Sequence, residues 1–198
     1  RQAYIKARPV AGDREVGGAF LAQTHRFVYE SPEQADLAER IQAMRHRMET
    51  ERGGGGSKGA HVKLGSGGIV DIEFLAQYLQ LRHGRSHPSL RTPGTLEALR
   101  GLAAEGLLPA EDAAVLEESY RFLRRVENRL RIVADLSVNT LPAAPAKLEK
   151  LAKRMGYRPQ GDDSARERFQ KDYAAHTGRV RTIYNRVFGL NEAGRLGG

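Results

Sequence analysis

Apolar positions recur along this chain at intervals of three and four, and the residues between them carry helix start and stop signals, so the pattern predicts a mostly α fold built as a helical bundle. The first ten residues depart from that period. Ala3, Ile5 and Ala7 alternate without a preceding cap and Pro9 ends them, so Arg1 to Val10 reads as the cut edge of an element, a short strand remnant near the N terminus. Asp13 is placed to cap a helix reaching about Tyr29, with Phe20, Leu21, Phe27 and Val28 as its apolar cover. Ser31 and Pro32 start a second helix to about Arg52, in which Leu37, Ile41, Met44 and Met48 recur. Gly53 to Gly59 breaks it, because each helical glycine costs about 1 kcal/mol relative to alanine. Gly53-Gly54-Gly55-Gly56-Ser57 fits both a natural flexible loop and an engineered linker.

From Ile69 the period of Ile69, Ile72, Leu75, Leu79 and Arg82 runs for four turns, too long for a typical strand. Thr92-Pro93 opens a helix through Leu102. After Pro109 comes the longest, whose Leu116, Ser119, Leu123, Val126, Leu130 and Val133 form an a/d-like seam expected at the centre of the bundle. Pro145 to Met155 is a shorter helix ended by Gly156. Asp162-Asp163-Ser164 starts a final one through Phe188, with Phe169, Tyr173, His176, Val180, Ile183, Tyr184 and Val187 along one face. Asn191 to Gly198 reads as a frayed, disordered tail, and no internal repeat is visible.

At 198 residues the chain is long enough for a core without staples, and it has no cysteine to make any. Lack of a signal-like or long apolar segment points to a cytoplasmic protein without a membrane span. The net charge of +8 invites a nucleic-acid reading. The arginines are dispersed, however: Arg124, Arg125, Arg129 and Arg131 alternate with Glu117, Glu118, Glu127 and Asp135, as on a solvated face laced with ion pairs. With aromatics at 7% and no stacking platform, the composition argues against nucleic acid.

Candidate chemistry gathers between His61 and Gly84. Gly65-Ser66-Gly67-Gly68 before a helix can form an anion nest, with Lys63 as an added charge. Equally, Ser66 can cap the helix while Asp71 and Glu73 complement its dipole. Asp71 and Glu73 would point the same way on a strand and could then share Mg2+, which the helical period disfavours. Glu73 and Gln77 share a helical face from which they could reach a neighbouring core or Arg124 and Arg125. Candidate junction or nucleotide-facing residues are thus Lys63, Gly67, Gly68, Asp71, Glu73 and Gln77; no residue is assigned as catalytic or as a metal ligand. The six histidines, His25, His46, His61, His83, His87 and His176, lack metal-ligand spacing and read as surface or packing residues. Ser119 has no nucleophile elbow around it, and Tyr157 and Tyr184 read as packing rings.

The run Lys63-Leu64-Gly65-Ser66-Gly67-Gly68-Ile69-Val70-Asp71-Ile72-Glu73-Phe74 resembles a junction in the bacterial glutamine synthetase adenylyltransferases (glutamate-ammonia ligase adenylyltransferase/adenylyl-removing enzymes). The resemblance extends through Lys6 to Asp13, Leu90 to Leu96, Tyr120 to Asn128 and Thr140-Leu141-Pro142. It implies a nucleotidyltransferase tail and connecting helices over 1–60 and a helical domain over 61–190. For the complete enzyme it implies ATP- and Mg2+-dependent transfer of AMP to a tyrosine of glutamine synthetase, or its removal, under the signalling protein PII in nitrogen regulation. The family's Asp-x-Asp pair and third aspartate fall upstream of Arg1, so this chain is expected to be non-catalytic by itself. Only Gly67 to Val70 separate Gly65-Ser66 from Asp71, too few for these residues to replace that site. Whether the adenylylating or the deadenylylating half is represented stays open. The alternatives are the PII uridylyltransferases, which share Gly-Gly-x-x-Asp but not Ile-Glu-Phe, and a stand-alone helical interaction or nucleic-acid-binding module.

Overall fold

The computed structural model describes residues 1–31, 35–52, 60–134 and 139–190. The expected glycine loop at 53–59, the C-terminal tail and Pro32 lie outside them. Among the described residues there are seven α-helices and no strand: α1 Arg14–His25, α2 Leu37–Arg52, α3 Ile69–His83, α4 Thr95–Ala104, α5 Ala110–Ala134, α6 Pro145–Arg154 and α7 Ala165–Val187. The fold is therefore of the mostly α, helical-bundle class that the spacing predicts. It divides into two compact units, Arg1–Ile41 with Glu73–Glu117, and Gln42–Ile72 with Glu118–Gly198.

In the first unit the N-terminal alternation does not form a strand. Gln2–Lys6 is a 3-10 helix, closed by Tyr4 N–H on the Arg1 carbonyl and Ala7 N–H on that of Tyr4, both at 3.0 Å, with only Ile5 buried. With no strand to pair with among the described residues, local hydrogen bonds satisfy this backbone. Asp13 caps α1 by accepting from Glu15 and Val16 N–H, and a π-turn over Arg26–Glu30 prolongs it to the predicted end. Val28, expected as cover, is buried together with Tyr29, whereas Phe20 and Phe27, also expected as cover, are half exposed. Gln80 of α3 donates to the Leu90 and Thr92 carbonyls at 2.7 and 2.8 Å, holding the segment before α4. Arg91 lies over the Tyr29 ring at 5.2 Å.

In the second unit α6 and α7 pack together, and Ser164 with Glu167 closes a capping box at the start of α7. Fully buried Leu123 and Val126 of α5, Ala152 of α6, and Phe169 and Val180 of α7 belong to its core. An isolated antiparallel bridge joins His61 to Thr140, flanked by Val62 N–H on the Asn139 carbonyl and Leu141 N–H on that of Ala60. α3, which runs through both units, is buried beyond the stripe that its spacing predicts. Val70, Asp71, Ala76, Gln77, Tyr78, Gln80 and Leu81 are buried together with Ile69, Ile72, Leu75 and Leu79 of the predicted stripe, whereas Arg82, also assigned to it, is exposed; α5 keeps a charged outer face.

Candidate functional site

The glycine-rich entry to α3 is shaped by where its backbone hydrogen bonds go. Gly65 N–H donates to the His61 carbonyl, Gly68 N–H to that of Gly65, Ile69 N–H to that of Val62, and Val70 N–H to that of Lys63, at 2.7 to 3.2 Å. The first turn of α3 is thus capped by the Val62 and Lys63 carbonyls, while Ser66, the expected cap, is exposed. His61 Nδ1 accepts from Leu64 N–H at 3.0 Å, and burial, with Lys63 adding to it, lowers the pKa of this imidazole. Gly67 has φ +69°, and a Cβ there would lie 1.9 Å from the Thr177 carbonyl oxygen of α7. A Cβ on Gly68 would meet three carbonyl oxygens at 2.8 to 2.9 Å. Both glycines are therefore needed for close backbone packing.

Asp71, fully buried, is the centre of the site. One carboxylate oxygen accepts from Arg45 Nε; the other accepts from Gly67 N–H at 2.7 Å and from Arg181 at 3.2 Å. Arg45, 2% exposed, also donates to the Gly65 carbonyl at 3.0 Å and pairs with Glu49 at 3.3 Å, and Arg181 stands 3.5 Å from the same Glu49. Two guanidinium groups and two carboxylates leave the cluster neutral, as burial demands. It fastens α2, the α3 entry and α7 to one another. The Arg181 guanidinium lies 5.3 Å from the Tyr184 ring centroid, and burial, then the Asp71 carboxylate, raises the Tyr184 phenol pKa.

Of the six candidates, Lys63, Gly67, Gly68 and Asp71 meet in this second unit, whereas Glu73 and Gln77 belong to the first. Lys63 contributes its carbonyl. Glu73 is part-buried, and Gln77, 8% exposed, accepts from Gln2 at 2.8 Å. A Mg-nucleotide does not fit Asp71, Gly67 or Gly68, because the oxygens that would ligate a cation already face two cations, and the N–H groups that would hold phosphate are taken. Arg45, Glu49 and Arg181 were not anticipated from the sequence. Arg45 occupies the inward position four residues after Ile41, while Met44, expected there, is 48% exposed. The available signal was Glu49, four residues further along the same helical face.

A second polar pair lies in the core of this unit. Ser119 Oγ and His176 Nδ1 are 3.0 Å apart, Ser119 is fully buried, and Phe122 stacks on the imidazole at 4.3 Å. Burial and Arg179 lower the His176 pKa. With no open face on the serine, this is a satisfied polar contact within packing.

The GlnD PII-uridylyltransferase family model matches residues 35–188. Individual relatives are bifunctional glutamine synthetase adenylyltransferase/adenylyl-removing enzymes. That of Rhodopseudomonas palustris (strain TIE-1) is 37% identical over 190 residues, 95% of this chain and 19% of the relative. That of Mycobacterium bovis is 36% identical over 189 residues, 94% and 19%, and that of Xanthobacter autotrophicus 42% over 159 residues, 79% and 16%. The chain thus spans less than a fifth of the length of these relatives. It belongs to the GlnD PII-uridylyltransferase family and is homologous to the bacterial bifunctional glutamine synthetase adenylyltransferase/adenylyl-removing enzymes.

Proposed function

We propose that this chain is the helical scaffold of a cytoplasmic enzyme that attaches AMP from Mg-ATP to a tyrosine of glutamine synthetase, or removes it, in response to PII. Residues 1–60 are then the tail of a nucleotidyltransferase unit with its connecting helices, and 61–190 the helical domain that follows. The observation that carries the scaffold role is the closed Asp71 cluster: Asp71 organises three segments and has no coordination left for chemistry. Half-exposed Phe20 and Phe27 beside strongly exposed Val10 and Val16 support a further apolar partner for the N-terminal segment, which the nucleotidyltransferase unit would supply. Among the described residues no helix is long and apolar enough to cross a membrane.

Labelled AMP transfer to glutamine synthetase tests this reading. The chain alone should transfer none. In a longer protein carrying it, Asp71→Asn should lower kcat and melting temperature together, since misplacement of about 1 Å costs on the order of 100-fold, while KM for Mg-ATP stays within about twofold. Unchanged stability with a large rise in KM would instead make Asp71 a nucleotide or metal ligand. The family model's name favours a second reading, uridylyl transfer to PII. Labelled UTP with PII, run beside labelled ATP with glutamine synthetase, separates the two.

A further inference from the structure

The second unit holds a basic cavity that the scaffold role leaves unused. Its volume is about 580 Å3, and it lies between the C-terminal half of α5 and α6. Lys147, Lys150 and Arg154 stand at i, i+3 and i+7 on one face of α6, and Arg129 enters from α5. Among the described residues none of these four side chains is in a hydrogen bond or ion pair, and no carboxylate lines the cavity. Lys153, off that face, is by contrast paired with Glu149 at 3.1 Å. Ala143 and Ala144 line the same cavity, and Ala144 is the N-cap of α6 with no side-chain acceptor, so the positive end of that helix dipole borders it as well. Leu130, Leu151 and Pro142 make an apolar floor. An adjoining hollow of about 330 Å3 shares Arg129 and Arg154 and adds Arg125.

We propose that this cavity binds a phosphoanion carrying an apolar body, of the size and kind of a nucleoside phosphate. Unpaired cations around an uncapped helix end supply the charge that phosphate oxygens require, with the lysines as mobile point charges and the arginines as forks. A bare inorganic anion would use only this rim, whereas the floor gains from covering apolar surface. The volume falls within the range of about 300 to 1,000 Å3 usual for small-molecule sites. Among the described residues no aromatic side chain lines the cavity to stack successive bases, which separates it from a single-strand nucleic-acid groove. A concave floor of three apolar side chains lacks the repeated anchors that an acidic helix would dock on.

The test is direct titration of the chain with nucleoside triphosphates free of Mg2+, in parallel with inorganic triphosphate, a poly-glutamate peptide and a short single-stranded RNA. Lys147→Glu combined with Lys150→Glu is compared with Arg8→Glu combined with Arg47→Glu, two exposed positions outside the cavity that change net charge equally. One nucleotide should bind per chain, about tenfold more weakly in the cavity variant and within about twofold of the parent in the control. Inorganic triphosphate should compete, but less tightly. If circular dichroism finds the glutamate variant misfolded, the Lys147→Gln and Lys150→Gln pair replaces it. Absent nucleotide binding, equal losses in both variants, inorganic triphosphate as tight as nucleotide, or tighter binding of peptide or RNA would each overturn the proposal. Because binding by the chain itself is read, failure here leaves the assignment to AMP transfer standing.

Discussion

Removing the negative centre of the Asp71 cluster should be among the most damaging single changes in the second unit. Asp71→Asn preserves shape but takes the cluster from neutral to a net positive charge, with Arg45 only 2% exposed and unable to regain water. Breaking a buried pair in this way costs about 3 to 5 kcal/mol. At about 2 to 4 °C per kcal/mol for a chain of this size, the melting temperature should fall by roughly 6 to 20 °C. A double-mutant cycle isolates the coupling between Arg45 and Asp71. Arg45→Met with Asp71→Leu removes both charges and leaves Arg181 facing Glu49 at 3.5 Å, so the pair that remains is still neutral. The Gly67 N–H loses its partner, at about 1 kcal/mol or more, while the Gly65 carbonyl keeps the Gly68 N–H. The double variant should therefore be less destabilised than the sum of the singles by about 2 to 3 kcal/mol. Urea unfolding followed at 222 nm measures the parent, Arg45→Met, Asp71→Leu, the double variant and, alongside the cycle, Asp71→Asn. Additive losses, or an Asp71→Asn protein within about 0.5 kcal/mol of the parent, would refute the claim that this ion pair is buried and coupled.

Gly67→Ala should cost on the order of 3 kcal/mol or prevent folding, because its Cβ would sit on the Thr177 carbonyl; Gly156→Ala, at φ +97° with open space around it, should cost only about 1 to 2 kcal/mol. Equal losses in thermal melts would mean that conformation alone, not the α7 contact, requires glycine at 67. Leu123→Ala, fully buried, should lose about 2 to 5 kcal/mol, read as a lower urea midpoint with unchanged slope. His176 has a folded pKa below the ordinary 6.5, so the unfolded chain binds its proton first and stability, complete above 6.5, should fall as pH drops through that value. His176→Gln should flatten this part of the urea-midpoint profile, and an unaltered slope would assign the pH dependence to another group such as His61.

The helices were legible because their signals are local. Asp13, Pro145 and the Ser164–Glu167 box start α1, α6 and α7 where the sequence puts them, and three-to-four spacing marks the buried stripe of α3. Burial on the remaining faces of α3 was not legible, since a stripe reveals one packed face and says nothing of partners arriving from distant segments. The strand remnant failed for a related reason: alternation over Ala3, Ile5 and Ala7 is too short to outweigh local hydrogen bonds. At the candidate site, Lys63, Gly67, Gly68 and Asp71 were identified, but Arg45 and Arg181 were not. A hydrophobic scan assigns Met44 inward and Arg45 outward, and only the carboxylate 26 residues later reverses that order. A buried charge is invisible until its counter-charge is placed.

The same cluster explains why the segment resembles a phosphate nest without acting as one. Gly67 N–H, the N-terminal end of α3 and two guanidinium groups are the ingredients of an anion site, and the anion they hold is the chain's own Asp71 carboxylate. If so, Asp71→Ala should create an empty site for a small carboxylate, and formate should restore part of the lost stability. With an assumed dissociation constant near 10 mM, formate at about 100 mM would return roughly 1.4 kcal/mol. Thermal melts of Asp71→Ala and the parent in formate and in chloride of equal ionic strength measure the effect. A gain specific to the variant and to formate supports an internal anion; the same gain in the parent, or in chloride, would mean that the arginines respond only to ionic strength and that Asp71 is not what fills the nest.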